Sequence, residues 1–161
     1  MIEVLNAGIG SSFQDLGRPG LAHLGVGRSG AADRRSHRLA NRLLGNDESA
    51  ATIETCGGLT LRLHRSATVT VTGAQGVIDV RNGRAIAVNN VGDLPSGAEL
   101  VLRAPEDGFR YYVAVRGGFE VEPVLGSRSF DTLAGLGPRL RAGDRIPIGP
   151  DPRTAMAADL G

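Results

Sequence analysis

The sequence contains no lysine, so arginine supplies every fixed positive side-chain charge. This absence excludes Schiff-base catalysis, a lysine general base and the phosphate-binding lysine of a P-loop. A formal net charge of +1 also argues against a nucleic-acid-binding protein, because affinity for phosphates depends on many cations on one face. Any contact to an anion must therefore come from arginine side chains or backbone amides.

Cysteine is almost as scarce, since Cys56 is the only one. The chain can form neither an intrachain disulfide nor a cysteine-based zinc site. The three histidines, His23, His37 and His64, are too far apart in sequence to suggest metal ligands by their spacing. The sequence therefore predicts no metal site, and we expect His37 and His64 to lie at the surface.

Long apolar segments are missing as well. Nowhere do about 18 apolar residues follow one another, and the N-terminus lacks the charged leader and apolar run of a signal peptide. We therefore expect a cytoplasmic protein without a membrane-spanning segment.

The length of 161 residues is sufficient for one domain with a substantial core. Residues 2–7 predict a first strand, and after Asn46 the sequence changes to many short segments rich in Val, Ile and Thr. Asn82 and Gly83 indicate a tight hairpin between the segments VIDVR and RAIAV. Many short strands with a single helix favour a mainly β fold, closed or nearly closed into a barrel that hides its sheet edges.

The one principal helix is predicted to begin after Asp33, a residue type suited to cap a helix N-terminus. Gly45 and Asn46 would end it. Four arginines fall on the face opposite the apolar stripe, which favours a solvated surface over an anion-binding one. The apolar stripe would consist of Leu39, Ala40, Leu43 and Leu44.

Two glycine-rich loops interrupt the strand pattern. The N-terminal loop (residues 12–33) carries more hydrogen-bonding and ionisable side chains than a simple connection needs. The C-terminal loop (residues 122–141) precedes the last strand, and long loops of this kind are usually functional or disordered. We expect the two loops to form the two sides of one cleft, with Gln14 and Arg18 near Arg116 and Arg128.

The N-terminal loop supplies the candidate catalytic residues, which are Gln14, Asp15, Arg18 and His23. Arg18 has the planar donor set that suits a carboxylate, carbonyl or amide, but it could instead pair with Asp15 and fix the loop. His23 can titrate near neutral pH, although its apolar neighbours are more typical of a structural histidine.

Candidate substrate-binding residues come from both loops and from strand ends. Ser29 does not lie in a G-x-S-x-G pattern, so a hydrogen-bonding role is favoured over that of a nucleophile. Glu54 and Arg116 precede glycine pairs at strand ends, where residues at the mouth of a barrel are found. The set consists of Arg28, Ser29, Asp33, Glu54, Arg116 and Arg128, with Ser127, Ser129 and Asp131 as further candidates from the C-terminal loop.

Several motifs in a fixed order indicate a family. They are QDLGRPG, HLGV, SGAAD and LANRLLGN, followed by YVAVRGGFEVEPVLGSRSFDTLAGLG and LRAGDRIPIG. Over residues 2–149 the sequence resembles the carboxyltransferase-domain family known as allophanate hydrolase subunit 2. That family includes the C subunit of 5-oxoprolinase, the carboxyltransferase part of urea carboxylase, and the antagonist of a sporulation-kinase inhibitor.

The resemblance implies a cyclophilin-like β-barrel over residues 1–149, with residues 150–161 as a linker or tail. Family members usually carry a second barrel of similar size, so this chain would correspond to the N-terminal half. The resemblance also implies a partner, a subunit 1 protein (the B-type subunit) that itself contains a cyclophilin-like barrel.

The leading functional hypothesis from this resemblance is a hydrolase subunit that needs its partners for activity. Together with subunit 1 and a lactamase-type A subunit, it would convert 5-oxoproline (pyroglutamate) to glutamate with ATP. One alternative is biotin-dependent carboxyl transfer to urea, for which the biotin carrier must be separate because the chain has no lysine to carry biotin. Another is a non-enzymatic module that regulates a histidine kinase through the subunit 1 homologue.

Overall fold

The structure, a computed structural model, describes residues 1–157, and this part of the chain is mainly β. The strands are β1 (Ile2–Ala7), β2 (Ser12–Gln14), β3 (Thr52–Thr55), β4 (Leu59–Leu63), β5 (Ala67–Gln75), β6 (Ile78–Arg81), β7 (Val91–Leu94), β8 (Glu99–Leu102), β9 (Asp107–Val115) and β10 (Arg145–Ile146). The principal helix is α1 (Arg34–Leu43), and a 3₁₀ turn covers Ala22–Leu24. The predicted mainly β class with one principal helix is confirmed.

The strands form two sheets of five strands each. The first sheet has the order β10-β1-β4-β8-β6 and the second has the order β2-β3-β9-β5-β7. Neighbouring strands are antiparallel throughout. Within residues 1–157 the strand ladders therefore divide between two sheets and do not form one continuous ring.

The main apolar core lies between the two sheets and follows from the two-residue repeat of the strands. In β4, Leu59, Leu61 and Leu63 are buried while Thr60 and Arg62 are only partly so. In β5 of the second sheet, Val69 and Val71 are buried in the same core cluster. Successive side chains of a strand point to opposite faces, so each sheet contributes one apolar face to this core.

The second sheet also buries its other face, which is polar. Thr70 and Thr72 alternate with the core valines, yet both are fully buried. Thr72 donates a hydrogen bond to the carbonyl of Ser36 in α1 at 2.7 Å, so the helix covers this face. The result is a polar layer between α1 and the sheet, and each polar group in it needs a hydrogen-bond partner.

Helix α1 begins at the predicted cap. The Asp33 side chain accepts from the backbone N–H groups of Arg35 and Ser36 at 3.0 and 3.1 Å. His37 is fully buried rather than exposed, whereas Leu39, expected in the apolar stripe, is 38% exposed. The prediction that His37 lies at the surface was wrong because α1 packs on a polar face, where an imidazole finds partners.

His37 bonds to two groups of that layer. Its Nδ1 lies 2.9 Å from the Thr52 hydroxyl and its Nε2 lies 3.0 Å from the carbonyl oxygen of Glu48. Burial lowers the pKa of His37 below its ordinary value. The folded state therefore favours the neutral imidazole of His37.

The hairpin predicted at Asn82 and Gly83 does not form. Asn82 has the expected positive φ of 56°, but the strand before it, β6, pairs with β8 and not with the segment that follows. That segment, RAIAV, has no strand ladder; Ile86 and Val88 instead pack against the main core. Apolar packing, and not strand pairing, therefore holds this segment against the domain.

The segment after residue 149 contacts the domain within the described range. Arg116 pairs with Asp151 at 2.8 Å, and Met156 packs against the small cluster of α1 and β9 side chains. Residues 158–161 of the predicted linker or tail lie outside the described residues, and the boundary at 149 stays a prediction. No helix in residues 1–157 is long and apolar enough to cross a membrane.

Candidate functional site

Asp15 joins the N-terminal loop to the C-terminal loop. Its carboxylate accepts hydrogen bonds from the hydroxyls of Ser127 and Ser129 and from the backbone N–H of Arg128, each at 2.6 Å. It also accepts from the N–H of Gly17 in its own loop at 2.7 Å. The two loops therefore meet, as the sequence predicted, and a buried carboxylate connects them.

These contacts determine the charge state of Asp15. Burial by itself raises the pKa of a carboxyl group, but the hydrogen bonds from Ser127, Ser129, Arg128 and Gly17 outweigh it, and the pKa of Asp15 lies below its ordinary value. The carboxylate is thus ionised and acts only as an acceptor.

Arg18 also connects the loops, although not through the Asp15 pairing considered from the sequence. The buried guanidinium donates to the carbonyl oxygens of Val124 and Ser129 and to the hydroxyl of Ser29. No ion pair between Arg18 and a carboxylate occurs in the described part of the chain. All three guanidinium nitrogens are occupied by protein acceptors.

A cleft of about 470 Å³ opens between the two loops and the adjoining end of the second sheet. Strands β2, β3 and β9 are neighbours there, so side chains that are far apart in sequence share one face. The main polar side chains lining the cleft are Ser12, Gln14, Ser29, Glu54, Arg110 and Asp131.

Gln14 holds the most informative atom of this cleft. Its Nε2 donates to the Ser12 hydroxyl at 2.9 Å and to the carbonyl oxygen of Phe130 at 3.0 Å. Because a backbone carbonyl only accepts, the amide must present Nε2 to Phe130. Its Oε1 is buried and has no hydrogen-bond partner among residues 1–157, and the whole residue is 6% exposed. Gln14, a residue of the cleft lining, therefore carries a desolvated acceptor without a protein partner.

Glu54 is the centre of a second buried network. Its carboxylate accepts from Arg110 Nη1 at 2.6 Å, from the Tyr112 hydroxyl at 2.7 Å and from the N–H of Ala32 at 2.9 Å. The Tyr112 oxygen in turn accepts from the N–H of Asp33 at 2.7 Å. This network ties the start of α1 to the cleft.

Tyr112 remains a donor in that network. Burial raises the pKa of Tyr112 well above its ordinary value, and the adjacent Glu54 carboxylate raises it further. The phenol therefore keeps its proton and holds one Glu54 oxygen in place.

Ser29 and Asp131 bridge the two loops along the cleft. The Ser29 hydroxyl donates to Asp131 at 2.9 Å, and Ser29 has a positive φ of 55°, which a residue other than glycine adopts only at some cost. Hydrogen bonds from the backbone of Ala134 and from Ser29 lower the pKa of Asp131. An ionised carboxylate of this kind is a weak base, which supports a hydrogen-bonding role for Ser29.

Of the candidates from the sequence, Gln14, Ser29, Glu54 and Asp131 line this cleft, and the others do not. His23 is exposed and contacts the carbonyl oxygen of Gly20 through Nδ1 at 3.1 Å. The Arg28 side chain is exposed as well. Arg116 and Arg128, expected beside Gln14, do not line it.

Those two arginines are held by other segments. Arg116 donates to the carbonyl oxygen of Leu44 at 2.7 Å and pairs with Asp151, because α1 and the segment after residue 149 lie next to the end of β9. Arg128 donates to the carbonyl oxygen of Val121 at 2.8 Å. The two loops meet as predicted, but the side chains of Arg116 and Arg128 do not line the cleft.

Arg110 is the residue that sequence reasoning missed. Its place in the cleft depends on the register of β3 with β9, in which Glu54 lies opposite Tyr112. Residues two apart on a strand share a face, so Arg110 falls beside Glu54. The only sequence signal was a charged residue at the start of the strand segment RYYVAV.

A second cleft, of about 520 Å³, shares Arg110 with the first and is also bordered by Asp33. None of its lining side chains has a buried polar atom without a partner. Within the described chain, no group of three or more His, Cys, Asp or Glu residues could hold a metal ion in either cleft.

Comparison with known proteins agrees with the resemblance inferred from the motifs. The family model described as "Carboxyltransferase domain, subdomain A and B" matches residues 24–159. The C subunit of 5-oxoprolinase from Escherichia coli (strain K12) is 37% identical over 163 aligned positions, which cover 98% of this chain and 52% of that protein. The chain thus spans about half the length of this curated relative.

Two urea-processing proteins are also similar. The urea amidolyase of Saccharomyces cerevisiae is 35% identical over 138 positions, covering 84% of this chain and 8% of that protein. The crystal structure of the Kluyveromyces lactis urea carboxylase superposes with a TM-score of 0.84 at 32% identity, covering 98% of this chain and 15% of that chain. The fold described above therefore recurs inside much longer proteins.

Proposed function

Because this chain belongs to the carboxyltransferase-domain family, we propose that it is a subunit of a cytoplasmic, ATP-dependent enzyme that hydrolyses 5-oxoproline to glutamate. The similarity to the C subunit of 5-oxoprolinase over nearly the whole chain supports this choice. The activity requires partners, namely a subunit 1 protein (the B-type subunit) and a lactamase-type A subunit. Residues 1–149 are the proposed domain, with residues 150–161 as its linker or tail.

The observation that supports the proposal is the buried, unpartnered Oε1 of Gln14, a residue of the cleft lining. A buried acceptor without a partner costs about 1–3 kcal/mol, and a ligand that donates a hydrogen bond recovers this cost. The lactam of 5-oxoproline carries such an N–H group. We assign Gln14 as the residue that binds the amide N–H, with Ser29 and Glu54 beside it.

ATP, if bound by this chain, must be held without a lysine. Arginine side chains and backbone N–H groups can bind phosphates, and partner residues can complete such a site. The partner subunits are therefore part of the proposal, and the isolated chain is expected to be inactive.

The proposal is tested by glutamate release from 5-oxoproline in the complex reconstituted from all three subunits. We expect release that requires both ATP and this chain. Gln14→Met should raise KM about tenfold, since it removes the acceptor and keeps the side-chain volume. Gln75→Met, at the exposed glutamine of β5, is the matched control and should leave KM unchanged.

Complete assembly without ATP-dependent glutamate release would overturn the hydrolase proposal. Partner binding without turnover would instead support the regulatory module.

Biotin-dependent carboxyl transfer to urea is the second candidate, and the similarity to urea amidolyase favours it. Urea also offers N–H groups to Gln14. The two candidates differ in their requirements, because carboxyl transfer needs a separate biotin carrier that has first been carboxylated from bicarbonate with ATP. Carboxylation of urea by the complex with such a carrier, without glutamate release from 5-oxoproline, would establish this alternative.

A further inference from the structure

Of the residues that the structure describes, Arg110 is the one cationic side chain in the lining of the first cleft, beside the carboxylates of Glu54 and Asp131. Its Nη1 pairs with Glu54, whereas its Nε and Nη2 make no hydrogen bond within residues 1–157. One third of the side chain, 33%, is exposed. The same cleft contains the unpartnered Oε1 of Gln14.

Two contacts orient this guanidinium before any ligand binds. Glu54, which holds one edge of it, is itself held by Tyr112 and the N–H of Ala32. The Phe109 ring lies 5.3 Å from the guanidinium carbon, within the range of a cation–π contact. A pre-oriented donor loses less entropy on binding than a freely rotating one.

The charges of the cleft favour a neutral acceptor at this donor. Glu54 already neutralises Arg110, and Asp131 adds a further carboxylate to the lining. A ligand carboxylate placed at Arg110 would meet these two carboxylates and be repelled. A carbonyl oxygen accepts the same hydrogen bonds without that repulsion.

We propose that Arg110 binds the carbonyl oxygen of the substrate amide unit, while Gln14 accepts from its N–H. This inference rests on the proposed function and adds the residue that binds the carbonyl group of the amide. A carboxylate carried by the substrate then points out of the cleft, away from Glu54 and Asp131. Negative charge that develops on the carbonyl oxygen during attack would be stabilised by the same guanidinium.

Binding of 2-pyrrolidinone and of 2-pyrrolidinethione to this chain, followed by NMR titration, tests the inference. Sulfur is a much weaker acceptor than oxygen, so the wild type should bind the lactam about 10-fold or more tightly than the thiolactam. Arg110→Gln should lose this preference by weakening lactam binding. Arg110→Lys, which keeps the charge but not the planar donor set, should retain part of it.

Arg103→Gln is the matched control, because Arg103 also pairs with a carboxylate, Asp79, but on the first sheet. It should keep the full preference for the lactam. If Arg110→Gln folds and keeps that preference as well, the role of Arg110 is refuted while the proposed function stands. If the wild type binds neither compound, the assignments of Gln14 and Arg110 to the amide both fail, whereas the proposed hydrolysis is decided separately by glutamate release from the three-subunit complex.

Discussion

Asp15, a candidate catalytic residue in the sequence, holds the two loops together in the structure. Its carboxylate is buried and accepts four hydrogen bonds from the protein, three of them from the C-terminal loop. An acceptor so fully used has little capacity left for a substrate. Its proposed place among the catalytic residues is therefore best tested through stability first.

We expect Asp15→Asn to lower the free energy of unfolding by about 1–3 kcal/mol, because the amide cannot accept from all four donors. The pKa of Asp15 is lower in the folded state, so its contribution is fully present above the ordinary carboxyl pKa and is lost as pH falls through the folded value. The free energy of unfolding in urea, measured for both proteins between pH 2 and pH 6 at roughly one-unit steps, gives this contribution of Asp15.

Asp79→Asn is the control, since Asp79 pairs with Arg103 at the surface and should change stability by less than about 1 kcal/mol. If Asp15→Asn leaves the acid dependence of unfolding unchanged, the ionised Asp15 carboxylate does not stabilise the fold.

At the scale of elements, the cleft depends on two loops that have no regular structure of their own over most of their length. Arg18 contacts both of them, through Ser29 on one side and through Val124 and Ser129 on the other. These contacts position the sides of the cleft, and a direct role of Arg18 in catalysis stays a prediction.

Arg18→Ala should release the C-terminal loop from the N-terminal one. We expect faster hydrogen exchange at backbone amides of residues 122–137, because opening of that segment costs less when three donors are lost. Arg28→Ala, at an exposed arginine of the same loop, should leave exchange unchanged. Equal exchange in both variants would mean that Arg18 does not hold the loops, and its predicted direct role in catalysis would regain support.

For the whole molecule, local signals in the sequence were sufficient for features that depend on neighbours in the chain. The Asp33 cap and the single helix follow from residue type and spacing, and both are present. The meeting of the two loops was also expected. Burial of His37 and the position of Arg110 were not, because the first depends on how α1 packs on the second sheet and the other on the register of β9 with β3 within that sheet.

The same distinction explains the missing hairpin at Asn82. A turn signal describes two residues, but whether strands pair on either side depends on what else is available to them. Here β8 pairs with β6, and the core accepts Ile86 and Val88 without a ladder. Tertiary contacts of this kind leave no periodic pattern in one sequence.

The cleft as a whole joins β2, β3 and β9 with both loops, and its defining property is a buried acceptor at Gln14. The most direct test of that property is NMR titration of the wild type with 2-pyrrolidinone, which has an N–H group, and with N-methyl-2-pyrrolidinone, which lacks it. We expect the wild type to bind the N–H lactam about fivefold or more tightly, and Gln14→Met to bind both equally weakly. Equal binding of the two lactams by the wild type, or an unchanged preference in Gln14→Met, would contradict the assignment of Gln14 as the amide-binding residue.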